Sequence, residues 1–272
     1  MGRHDHPPRI HITEQASHIT LWQLATHTSG LPRQPNDFRF FRLLFQYLFT
    51  GQDLYRQLDS ASAYGYLRRW KNTNAAGEEN YSNMGYALLA DQLQTKTGQP
   101  LELLLQENVL TPFGMTHTGF DPEAIPGSRM SGHAGDQPKF IRRGTPLDDW
   151  IMTPFMRGTG GLYSTPRDLL AYAKHALSPS PDPAFDAYRV AWHLDLLGNP
   201  YVYYQYGVNS GHTTFVGIDT EHRIAVVVMQ DTFNWSETTG RELLRRIAIA
   251  QQQCSDGSGH DLAGDTHHLP RE

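Results

Sequence analysis

Four groups of residues could do chemistry. Tyr81-Ser82-Asn83 follows a polar loop and precedes a helical pattern. A tyrosine there could act as a base if nearby cations lowered its pKa from about 10, and an asparagine offers both a donor and an acceptor to a substrate amide. The same tripeptide also reads as an ordinary opening of a helix. Gly158-Thr-Gly-Gly161 has three glycines in four residues, which permits close backbone approach. It has no Lys-Ser/Thr ending and follows no strand, so it is not read as a phosphate loop. Gln205-Tyr206-Gly207 lies in a β-branched and aromatic run, with Gly211 shortly after it. The 14 histidines include no His-Glu-x-x-His, and no pair has a convincing ligand context. Neither a metal nor a cofactor is expected.

The elements that must position these residues follow from local signals. Thr20 with Gln23 makes a capping box for a helix over about 20–27, stopped by Gly30. Residues 38–49 hold nine apolar residues in twelve and stop at Gly51. They read as a core or lobe-interface helix, or as one lying on a membrane surface, since arginine accompanies abundant phenylalanine. Helices are also expected over 60–70, 84–97 and 101–109. Thr165-Pro-Arg-Asp168 opens another, with a cap, proline at the first turn and an acid. Residues 128–150 form a long polar loop of the kind that borders sites. The last third changes period. Strands are expected at 201–206, 213–218 and 224–229, the latter two joined by the turn 219–222, before a closing helix over 243–249 capped from Asn234. Helices first, then a strand meander and a final helix, make an α+β fold: an antiparallel sheet flanked by helices, plus a helical lobe.

Composition narrows the function. The 272 residues are 39% hydrophobic, too rich for a disordered chain, and the formal charge of −5 argues against a nucleic-acid partner. A single cysteine, Cys254, rules out a disulfide framework. No apolar run reaches the roughly 20 residues that span a bilayer. Met1–Pro8 has no apolar signal segment, so the chain reads as cytoplasmic as written.

In order and spacing, His27-Thr-Ser-Gly-Leu-Pro32, Tyr81-Ser-Asn83, Leu110-Thr-Pro-Phe-Gly-Met-Thr-His117, Gly160-Gly-Leu-Tyr-Ser-Thr-Pro-Arg-Asp168 and a strand with a later glycine resemble one family. It is the serine β-lactamase/penicillin-binding family on its class C side, with AmpH-type D-alanyl-D-alanine carboxypeptidases and esterases. The resemblance covers about residues 18–250. It implies a β-lactamase/transpeptidase-like fold and acyl transfer on a D-Ala-D-Ala peptide, a β-lactam or a small ester. The serine of a Ser-x-x-Lys motif would attack, with lysine and tyrosine moving its proton. Carried over by position, Tyr81 is the base and proton shuttle, and Asn83 binds the substrate amide. Gln205 and Gly207 fall on the third motif, and the backbone N–H of Val208 is an oxyanion donor.

Two departures follow. Gln205 stands where the family has a cation or an imidazole, which weakens recognition of a free carboxylate. Ser-x-x-Lys is absent: Arg68, Leu93, Asp136 and Ala171 stand three residues before the four lysines. The family places that motif upstream of the His27 segment, where only 26 residues stand. The expectation is an N-terminally truncated member missing the first strands and the nucleophile helix. It divides into a remnant over 1–17, an incomplete domain over 18–252 and a disordered tail over 253–272. The alternative is a non-catalytic binding or scaffold relative, or a decayed gene product. Expected partners are a small-molecule or peptidoglycan-peptide substrate, a membrane surface against Phe38–Phe49, and a segment filling the vacated sheet edge. Intact relatives are commonly periplasmic or envelope-associated.

Overall fold

The computed structural model describes residues 18–71, 77–178, 190, 192–194 and 201–257. The expected remnant over 1–17, most of the Pro- and Ser-rich stretch 178–183, which reads as a surface loop, and the end of the tail lie outside the described residues.

A helical lobe comes first. Helix α1 (Leu21–Ala25) opens as the sequence predicts: Thr20 Oγ1 accepts the Gln23 N–H at 3.1 Å, and the Thr20 N–H donates to Gln23 Oε1 at 2.9 Å. It ends earlier than the glycine signal suggests. His27 takes a left-handed backbone, φ +58°, and breaks the helix before Gly30. Helix α2 (Phe38–Thr50) is capped by Asp37 and stopped by left-handed Gly51. Helix α3 (Ser60–Leu67) is shorter than expected, and α4 (Asn83–Thr97) runs from the Ser82 cap to left-handed Gly98. Leu24, Leu43, Leu67, Met84, Leu88 and Met156 sit at the centre of the lobe core. Residues 101–113 stay helical through α5 (Leu101–Leu105), a π turn and α6 (Thr111–Phe113).

Gly158 has a structural reason. The 3-10 turn Met156–Thr159 presses on α4, and a Cβ at Gly158 would lie 2.4 Å from the Tyr86 carbonyl oxygen. Helix α7 (Pro166–Ala176) opens on Thr165. Its buried Asp168 also latches the 110–117 motif, accepting the His117 N–H at 2.7 Å and the Thr118 hydroxyl at 2.8 Å. These two family segments therefore hold each other.

The long polar segment is not bare loop. Strands β1 (Gly132–His133) and β2 (Pro146–Leu147) pair antiparallel, and the His133 N–H donates to Gly211 O at the tip of a hairpin of the main sheet. That sheet has the order β3-β4-β5-β6, antiparallel throughout: β3 (His193–Leu194), β4 (Val202–Asn209), β5 (His212–Asp219) and β6 (Ile224–Gln230). Alternation gives it two apolar faces. Val202, Phe215, Ile224 and Val226 pack on α8 (Thr238–Gly257) through Leu244, whereas Val216 and Ile218 pack on α7 through Ala173. Helix α8 starts earlier than the 243 expected and passes the predicted tail boundary at 253. At the β5–β6 turn, buried Asp219 accepts the N–H groups of Glu221 and His222 and meets His222 Nδ1 at 2.8 Å. Among the described residues, the outer edge of β6 has no neighbouring strand.

Candidate active site

The Tyr81–Asn83 turn is held in a mould made by the 27–34 segment. The His27 carbonyl accepts the Asn80 N–H at 2.8 Å, and His27 Nδ1 accepts the Ser82 N–H at 3.0 Å. The Ser82 hydroxyl donates to Pro32 O and accepts the Gly85 N–H, both at 2.8 Å. The Asn83 N–H donates to Arg33 O at 3.1 Å. The left-handed His27 residue turns its ring toward this loop, which explains why the helix before it stops short. Two motifs that are 54 positions apart in the sequence numbering, at 27 and 81, form one object.

Three groups surround the Tyr81 ring. His27 lies 4.5 Å away centroid to centroid, the Arg33 guanidinium 5.2 Å above the ring, and His193 on β3 6.3 Å away. Burial pushes the His27 imidazole down to about 4, assisted by the neighbouring His193. His27 is therefore neutral at pH 7, and because Nδ1 accepts, its proton sits on Nε2. Burial raises the Tyr81 pKa, and Arg33 opposes that shift without overcoming it. The depressing cation sought in the sequence is thus present, but desolvation is the larger effect. At pH 7 the phenol keeps its proton and is a hydrogen-bond donor.

The remaining predicted residues divide. Asn83 Nδ2 points to the Tyr55 hydroxyl at 3.4 Å, and Gln34 Nε2 holds that hydroxyl from another side at 2.5 Å. Burial pushes Tyr55 up to about 12, so it too stays protonated. Gln205 and Gly207 lie on β4 as expected, on the α7 face of the sheet. Val208 is on the opposite face, with its side chain against the helical-lobe core. Asn209 pairs with His212 across the two-residue turn Ser210–Gly211, both of whose φ angles are positive. The alternation of ladder bonds then directs the Val208 N–H away from β5, toward the side of β3. Tyr81 reaches the sheet through His193, the strand partner of Tyr204, rather than through Gln205.

Sequence reasoning missed Arg33, Tyr55 and His193. Arg33 was legible, since it directly follows the His27–Pro32 motif. His193 had no local signal, because strand pairing alone brings it beside Tyr81.

This architecture of a helical lobe against an antiparallel sheet is that of class C β-lactamases and D-alanine carboxypeptidases. It superimposes on a β-lactamase/D-alanine carboxypeptidase from Yersinia pestis with a TM-score of 0.62 at 20% identity, covering 89% of this chain and 74% of that one. A class C β-lactamase from Rhodobacter sphaeroides gives 0.63 at 17% identity over 87% of this chain and 74% of that one. The chain belongs to the β-lactamase family, whose profile, described as Beta-lactamase, matches residues 6–251. A curated relative, the D-alanyl-D-alanine-carboxypeptidase/endopeptidase AmpH of Escherichia coli K12, is 31% identical over 174 residues, 63% of this chain. The match spans only 40% of AmpH's own length. The family and fold implied by the motifs are the ones found.

Proposed function

We propose that this chain carries the substrate-cradling and proton-handling part of an acyl-transfer hydrolase, and that this polypeptide binds its substrate without forming a stable acyl-enzyme. The substrate class is a D-Ala-D-Ala peptide, a β-lactam or a small ester. One observation carries the reading: the 80–83 stretch donates five hydrogen bonds to residues 27–33, yet no lysine has a serine three residues before it. A hydroxyl attacks poorly without a neighbouring base, and Tyr81 holds its proton at pH 7. In this reading Tyr81 donates to a bound substrate oxygen, Asn83 meets an amide, and the Val208 N–H faces the carbonyl. Arg33 supplies the positive charge that Gln205 lacks.

Gln205 favours a second reading, a non-catalytic binding or scaffold relative, because it alters a motif distant in sequence from the missing one. Fluorescent penicillin and a nitrophenyl ester test the first reading on the purified chain. Intact-protein mass spectrometry is expected to find no adduct, while a D-Ala-D-Ala peptide raises the melting temperature saturably. An adduct on one side chain overturns the claim of no acylation, and absence of any ligand response overturns the cradle and leaves the scaffold reading.

A further inference from the structure

Helix α2 has two apolar faces, and the core uses one. Phe40, Leu43 and Tyr47 are buried, whereas Phe38, Phe41, Phe45 and Phe49 form a row on the other side, Phe38 at 84% and Phe45 at 64% exposure. The row continues onto a separate segment. Phe49 stacks on Phe140 at 4.2 Å and meets Phe45 at 4.7 Å, and the Phe140 N–H is fixed to the Leu48 carbonyl at 3.1 Å. Phe140 is itself 61% exposed. Single exposed apolar side chains are ordinary, but a continuous aromatic row assembled from two segments marks an interaction surface.

Within the two segments that build the row every charged residue is basic, and the acids Asp37, Asp53, Asp136 and Asp148 stand just outside them. Arg42, Lys139 and Arg142 are exposed, and among the described residues the Lys139 and Arg142 side chains have no hydrogen-bond or ion-pair partner. Neither 38–52 nor 137–147 contains an acid, in a chain of net charge −5. We propose that this row is an in-plane docking surface for an anionic lipid bilayer, the phenylalanines entering the acyl boundary while Arg42, Lys139 and Arg142 meet lipid phosphates. No helix among the described residues is long and apolar enough to cross a membrane, so the contact is peripheral. A second copy of the chain fits less well, because apposing the row on itself brings these cations together.

Flotation of the whole chain with phosphatidylcholine vesicles, with and without phosphatidylglycerol, tests the proposal. Binding is expected to be about tenfold stronger on the anionic vesicles and to fall steeply with salt. Phe41→Ser with Phe45→Ser should weaken it by roughly tenfold or more. Lys139→Glu with Arg142→Glu should remove the lipid preference. Both pairs lie on the surface, and circular dichroism confirms folding. No binding to anionic vesicles, or binding indifferent to the phenylalanine pair, overturns the proposal. So does a concentration-dependent dimer in light scattering that Phe45→Ser dissolves, which would make the row a self-association surface.

Discussion

The turn at Tyr81 and the strand at Gln205 are built differently. Around Tyr81 the backbone N–H groups of Asn80, Ser82 and Asn83 donate outside their own element, to His27 and Arg33, and the Ser82 hydroxyl donates to Pro32 O. Among the described residues Gln205 is held by the ladder, paired with Val216, and its side chain is half-buried. At Tyr81–Asn83 a second segment is shaped to hold the turn. At Gln205 the strand is generic. The positions that build the turn should therefore be costly to change, and Gln205 should be nearly free.

The largest effect is expected at His27. Replacing it with leucine leaves the buried Ser82 N–H without an acceptor and puts a bulky residue in a left-handed conformation, for a loss of about 2–4 kcal/mol in urea unfolding. Asparagine tolerates that conformation, and His27→Asn should lose less. Ser82→Ala removes both the cap of α4 and the bond to Pro32, and should cost about 1–2 kcal/mol by the same measurement. A third test uses pH. The unfolded chain protonates His27 near 6.5, whereas the folded one does so only near 4, so protons favour unfolding between these values. Stability should be fully present above pH 6.5 and decline as pH falls toward 4, with a slope of at most about 1.4 kcal/mol per unit from this group. His27→Asn should flatten that slope. Smallest of all, Gln205→Ala should change stability by less than about 0.5 kcal/mol. If it cost as much as His27→Leu, the contrast between the turn and the strand would collapse.

Much of this was readable in the chain. Thr20 with Gln23, Thr165 with Asp168, and the glycines at 51 and 98 mark helix ends by local hydrogen bonding and backbone freedom, which depend on near neighbours alone. The three long strands declared themselves by period. The early end of α1 did not, because the left-handed turn at His27 is stabilised by bonds to residues 80 and 82, and no local signal reports those. His193 was hidden for the same reason: its importance comes from where strand pairing and tertiary packing put Tyr81. The glycines at 158 and 161 permit positive φ and close backbone approach, and both occur: Gly161 has φ +86°, and Gly158 brings its backbone against α4, where a Cβ would lie 2.4 Å from the Tyr86 carbonyl oxygen. A cation near Tyr81 was anticipated as the device that would free its proton. The magnitude of burial, which depends on the folded surroundings, sets the opposite direction.

The outer edge of β6 has a practical consequence. Ile224–Gln230 reads Ile-Ala-Val-Val-Val-Met-Gln, with no charge, proline or glycine to discourage a matching ribbon from stacking against it. Among the described residues no strand covers this edge, and a thioflavin assay on concentrated stocks is the measurement that reports whether it recruits one. A lysine in place of Met229, which belongs to neither apolar cluster of the sheet, is the first change to make for anyone preparing the protein for crystallisation or spectroscopy.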